Sequence, residues 1–121
     1  MQIVAVARWR FGSWRVEVAG FDAEVRVRKA AVIASAVRST VGADAAAEVV
    51  VRFRFPAEVA VHIESAEQLQ LAGRDREAQR ALGAAVLKLR SKRMPDDDIA
   101  FSLGIPAVEA AHPPMDLDLR E

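Results

Sequence analysis

The sequence predicts an α+β protein: a β-β-β-α-β sheet domain, then a long α-helix, then a short, degenerate helix-turn-helix. Apolar and charged residues alternate with a period of two in several runs within residues 1–55, which indicates strands, and residues 29–41 change to helical spacing. At 121 residues the chain can bury one core. The expected divisions are a sheet domain at 1–63, a connecting helix at 64–93, a helix-turn-helix at 94–112 and a tail at 113–121.

The first two strands form a predicted β-hairpin. A two-residue turn at Phe11 and Gly12 places Trp9 opposite Trp14, and every apolar pair of the hairpin then falls on one face. A second turn, through Phe21 and Asp22, predicts a third strand that keeps the same face apolar.

The helix over residues 29–41 ends at Gly42, and its apolar positions should cover the apolar face of the sheet. Alternation returns over residues 49–55 and stops at Pro56, which predicts a fourth strand.

Six arginines collect on the opposite face of this predicted sheet: Arg8, Arg15, Arg26, Arg28, Arg52 and Arg54. The predicted register puts Arg8, Arg15 and Arg28 in one cross-strand row, which repels itself unless an anion or another surface intervenes. The face could hold nucleic-acid phosphate or an acidic protein surface. The alternative is a face that is solvated, or covered by the acidic second half of the chain. No aromatic residue interleaves these arginines, which disfavours single-stranded nucleic acid.

The charge distribution is uneven although the net charge is zero. Residues 1–55 carry nine basic and five acidic side chains, whereas residues 56–121 carry eight and twelve. The halves could therefore face each other, within a chain or across a dimer, or the first half could meet an acidic partner.

The long helix is expected to begin at a capping box formed by Ser65 and Gln68 and to run to about Lys92. It would be roughly 40 Å long, longer than the sheet it packs on. Its apolar end, over residues 81–89, therefore predicts a homodimer. The expected dimer surface consists of Leu82, Ala85, Val86 and Leu89.

A basic cluster precedes the predicted helix-turn-helix and suits phosphate contact: Lys88, Arg90, Lys92 and Arg93. The motif itself has Ile99 and Leu103 as apolar anchors and Gly104 as the turn glycine. Its second helix, over residues 107–112, lacks good base-reading side chains and is cut by two prolines. The tail beyond it could add to a sheet edge or stay disordered.

The residues predict no catalytic site, metal site or cofactor. Cysteine is absent, and the two histidines, His62 and His112, have no ligand spacing around them. The three acids at 96–98 suit the positive end of a helix dipole. No phosphate-binding loop, nucleophile set or membrane-spanning run is present, so we expect a cytoplasmic protein that acts by binding.

Taken together, residues 2–111 resemble the HicB family of antitoxins. The segment GSWRVEVAG at 12–20 is similar to the Gly-x-Trp-x-Val strand of that family, and DDDIAFSLGIP at 96–106 is similar to its helix-turn-helix. The resemblance implies a partial ribonuclease-H-like sheet domain that docks on a HicA-type toxin, and a C-terminal segment that represses the operon. Pro95 and Pro106 stand where the family commonly has serine.

Three hypotheses follow from the sequence. The first is a HicB-like protein that neutralises a toxin-like partner, with weak DNA-binding autoregulation. The second is a dimeric phage or prophage regulator that binds nucleic acid through the basic cluster. The third is an orphan, self-associating module.

Overall fold

The computed structural model describes residues 2–106 and divides the chain into two compact units, Met1–Arg54 and Phe55–Glu121. The first unit contains strands β1 (Gln2–Arg10), β2 (Ser13–Val18), β3 (Ala23–Val27) and β4 (Glu48–Arg54), with helix α1 (Ile33–Val41) between the last two. The second contains helices α2 (Ala57–Leu71), α3 (Asp75–Ser91) and α4 (Asp96–Leu103). The mixed α+β class is therefore confirmed.

The four strands form one sheet in the order β3-β2-β1-β4. β1, β2 and β3 pair antiparallel, while β4 pairs parallel with β1. A parallel pair needs a crossover connection, and the segment that contains α1 supplies it. β3 and β4 are the two edges.

One face of the sheet is apolar, and the buried residues of the unit gather there. Trp14 and Val16 are fully buried, as are Ile33 and Val37 of α1, which contacts β3 and β4. The Trp14 ring makes edge-to-face contacts with Trp9 and Phe53, at centroid distances of 5.4 and 5.2 Å. This geometry is favoured by the ring quadrupoles. The expectation that the helix covers the apolar face is confirmed.

The predicted register of the first hairpin is also confirmed: Trp9 pairs with Trp14, and Arg8 pairs with Arg15. The register predicted for β3 is wrong by two residues, because Arg15 pairs with Arg26 and not with Arg28. The turn is centred one residue earlier than expected, between Gly20 and Phe21, and Gly20 adopts φ 82°. A shift of two residues leaves the same side chains on the apolar face, so alternation alone could not reveal it.

The single helix expected over 64–93 is two helices, which pack against each other as a hairpin. α2 begins after Pro56 and not at Ser65, so Ser65 and Gln68 lie inside the helix and form no cap. The break falls at Gly73, whose φ of 76° is the left-handed conformation that ends a helix.

The boundary between the two units lies at Arg54, before the division expected at residue 63. α4 follows α3 after a short turn and ends at Gly104, which adopts φ 69°. The second helix of the expected helix-turn-helix, at 107–112, and the tail at 113–121 lie outside the described residues. Between residues 2 and 106, no helix has both the length and the apolar character needed to cross a membrane.

Candidate docking surface

Four arginines stand in directly opposed positions on the face of the sheet that faces away from α1. Arg8 pairs with Arg15 on one side and with Arg54 on the other, and Arg15 pairs with Arg26. We call this set, Arg54, Arg8, Arg15 and Arg26, the arginine row. Since neighbouring strands lie about 4.8 Å apart, the row extends roughly 15 Å across all four strands.

The row carries more charge than its neighbours neutralise. The adjacent register consists of Arg52, Val6, Glu17 and Glu24. Arg8 and Glu17 form an ion pair on this face at 3.6 Å, with side chains 44% and 68% exposed. An exposed pair at that distance contributes little to stability. Like charges directly opposite each other in a sheet are destabilising, so an anionic surface laid on the row would relieve the repulsion.

A depression of about 390 Å³ lies beside the row on the same face. Its lining consists of Arg8, Arg10, Arg15, Glu17 and Glu24. The volume falls within the roughly 300–1,000 Å³ typical of ligand pockets, but the lining is charged and not apolar. Such a lining suits the polar side chains of another macromolecule better than an apolar small molecule.

The structure therefore brings together four of the six arginines predicted for this face and adds Arg10 to them. Arg52 lies in the neighbouring register, and Arg28 lies one residue beyond the end of β3, outside the paired positions.

Phe11, in the loop of the β1–β2 hairpin, is exposed, although the sequence predicted for it only a place in the turn. Phe11 is 99% exposed and adopts φ 52°, and Gly12 follows at φ 83°. Positive φ at both positions is the backbone of a type I′ turn, in which Asn-Gly, Asp-Gly and Gly-Gly are preferred. A phenylalanine at the first of these positions is therefore unusual, and this is the feature of the sequence that could have marked Phe11 as a functional residue.

The basic cluster at the end of α3 is partly neutralised. Arg90 Nε lies 3.1 Å from Asp96 Oδ1, and Lys92 Nζ lies 2.7 Å from Glu58 Oε1. The hydrogen bond with Lys92, together with a backbone hydrogen bond and the charges of Lys92 and Lys88, lowers the pKa of Glu58 below its ordinary value of 4.5, although slight desolvation opposes this. Arg90 and Lys92, two of the four side chains predicted to contact phosphate, are thus already paired with carboxylates. Lys88 and Arg93 are exposed.

The dimer surface expected on α3 is not accessible. Ala85, Val86 and Leu89 are buried and Leu82 is half-buried, because α3 packs against α2 and α4 of its own chain. The break at Gly73 is the physical reason: it folds the expected long helix back on itself, and the apolar stripe then finds its partner within the chain.

Of the two apolar anchors expected in α4, Ile99 is buried and Leu103 is half-buried, and Ala100 is also buried. Ile105 is half-buried. Among the residues that the structure describes, no three histidine, cysteine or acidic side chains are grouped so as to hold a metal ion.

Comparisons of the chain with protein-family models, with curated proteins and with solved structures find no match.

Proposed function

We propose that this chain is a cytoplasmic, non-catalytic binding protein whose sheet unit docks on the acidic surface of a partner protein through the arginine row. The observation that carries the proposal is the alignment of Arg54, Arg8, Arg15 and Arg26 in directly opposed positions. This arrangement is unfavourable for the isolated sheet and favourable once carboxylates pair with the guanidinium groups.

The resemblance to HicB antitoxins supplies the class of partner: a toxin-like protein that this chain neutralises by covering it. Arginine binds carboxylates bidentately through its planar fork, so the row selects an acidic surface. A partner of the HicA type would therefore have to present an acidic patch to this sheet.

Regulation through DNA is the weaker proposal. It would use the basic cluster of Lys88, Arg90, Lys92 and Arg93, but Arg90 and Lys92 are held by carboxylates. Each cation lost removes a phosphate contact and the affinity that counterion release provides. Dimerisation through α3 is not part of either proposal, because its apolar stripe is buried within the chain.

The test is co-expression with the product of the adjacent gene, followed by calorimetric titration of the purified components. We expect a complex that weakens steeply as salt is raised, since screening acts on exposed charges. Arg15→Glu should weaken it more than about tenfold, a loss of about 1.4 kcal/mol, because it reverses a charge in the middle of the row.

Arg28→Glu is the matched control, because it makes the same charge change one residue beyond the end of β3, outside the paired registers. It should weaken the complex much less. Equal losses for the two variants would contradict a role for the row, and absence of any complex with the wild-type chain would overturn the proposal.

A further inference from the structure

The tip of the β1–β2 hairpin is unfavourable for this chain in two respects. Phe11 adopts φ 52°, a conformation that is unfavourable for a residue with a side chain and that asparagine or glycine would adopt more easily. The residue is also 99% exposed, so burial within the chain does not offset that cost. The side chain that brings the strain therefore contributes nothing to the core of the unit.

The position of Phe11 connects it to the arginine row. It follows Arg10, which lines the charged depression, and it lies three residues after Arg8, about 10 Å along the strand. Aromatic residues and arginine are the two kinds of side chain most enriched at the centres of protein interfaces. Here an exposed aromatic ring borders a basic face.

We infer that Phe11 is the apolar anchor of the docking surface, and that the partner presents an apolar pocket bordered by carboxylates. This inference rests on the proposed function: the ring enters the pocket, and the arginine row pairs with its acidic border. Phe11 lies in the tight turn and is exposed, so its ring is accessible to a concave surface.

A protein pocket fits this arrangement better than a nucleic-acid strand. Single-stranded nucleic acid is bound by several aromatic rings that interleave with cations along a groove. Phe11 lies at the hairpin tip, and the rings of Trp14 and Phe53 lie on the apolar face of the sheet, opposite the arginine row. One protruding ring is suited to one pocket.

The experiment compares Phe11→Asn, Phe11→Ala and Phe11→Trp in the full chain. Asn-Gly is the preferred type I′ sequence, so Phe11→Asn should raise Tm by roughly 4 °C and weaken the complex with the adjacent gene product more than about tenfold. Phe11→Ala should weaken the complex equally without the rise in Tm, because alanine keeps the unfavourable φ. Phe11→Trp keeps a large ring and should retain binding.

The outcomes separate this inference from the proposed function. If Arg15→Glu abolishes the complex while Phe11→Asn and Phe11→Ala leave it intact, the anchor is wrong and the arginine row stands. If Phe11→Asn fails to raise Tm, the strain argument is wrong. If the wild-type chain ignores the adjacent gene product but binds a fluorescent oligouridylate, and Phe11→Ala abolishes that binding, a stacking role replaces the pocket and both proposals are overturned.

Discussion

At the scale of single residues, the arginine row and Phe11 both act against the stability of the chain that carries them. Arg15 has an arginine directly opposite on each side, and Phe11 occupies a backbone conformation better suited to asparagine. Both features lie on or beside one face of one sheet. Positions that disfavour the isolated fold in this way are expected at surfaces that act by binding.

Arg15→Gln should stabilise the chain. It removes one charge, and with it the two repulsive contacts with Arg8 and Arg26, while keeping an extended side chain, so we expect the free energy of unfolding to rise by roughly 0.2–1 kcal/mol at low salt. The gain should shrink at high salt, where the Debye length falls to about 3 Å at 1 M.

Urea unfolding at two salt concentrations measures this effect, with Arg28→Gln as the control outside the paired registers. A loss of stability with Arg15→Gln, or an equal gain with Arg28→Gln, would show that the row is not under repulsion.

The sequence predicts which face Arg15 occupies but not which residue stands opposite it. Alternation has a period of two, so Arg26 and Arg28 are equivalent by that criterion, and only the turn decides between them. Gly20, with its positive φ, marks the centre of the true turn. For Phe11 the sequence predicts the turn correctly. It does not predict that the side chain is exposed, which is the observation on which the proposed anchor depends.

At the scale of helices, the break at Gly73 determines what the apolar stripe of α3 contacts. Within the described residues, nothing lies within 4 Å of a Cβ added at this position, so substitution costs only backbone energy. Gly73→Ala should lower the free energy of unfolding by roughly 1–2 kcal/mol.

Gly73→Asn is the control and should cost less, because asparagine tolerates the left-handed conformation. Chemical denaturation measures both variants. An increase in helix content with Gly73→Ala, accompanied by a dimer in sedimentation, would indicate that the chain prefers the single long helix over the hairpin.

The ion pair between Glu58 and Lys92 ties the first turn of α2 to the end of α3 and makes this hairpin sensitive to acid. Since folding lowers the pKa of Glu58 from 4.5, its contribution is present above that pH and is lost as the pH falls through the folded pKa. Glu58→Gln should therefore flatten the acid limb of the stability profile.

Thermal unfolding across a pH series measures this, with Glu67→Gln, an exposed acid later in α2, as the control. Identical acid limbs in the wild type and Glu58→Gln would contradict a stabilising role for the pair.

The apolar stripe of α3 is buried, as the sequence predicts, but it packs on α2 of the same chain. Gly73 follows the apolar residues of α2, and a glycine after an apolar helical run is a stop signal. A helical apolar stripe indicates only that one face of the helix is buried. It does not indicate whether that face packs on α2 of the same chain or on α3 of a second copy.

At the scale of the whole molecule, the uneven charge of the sequence has a structural counterpart. The excess of basic residues belongs to the sheet unit, where the arginine row concentrates it on one face. The basic residues of the helical unit are partly paired with its own acids, as Arg90 and Lys92 show. An acidic partner should therefore be drawn to the sheet and not to the end of α3.

The most direct test is an NMR titration that observes the arginine Nε signals of the full chain while the adjacent gene product is added. The signals of Arg54, Arg8, Arg15 and Arg26 should shift together and saturate at one stoichiometry, while that of Arg93 stays in place. Movement of Arg93 with the four row signals unchanged would contradict the account and place the partner on the helical unit.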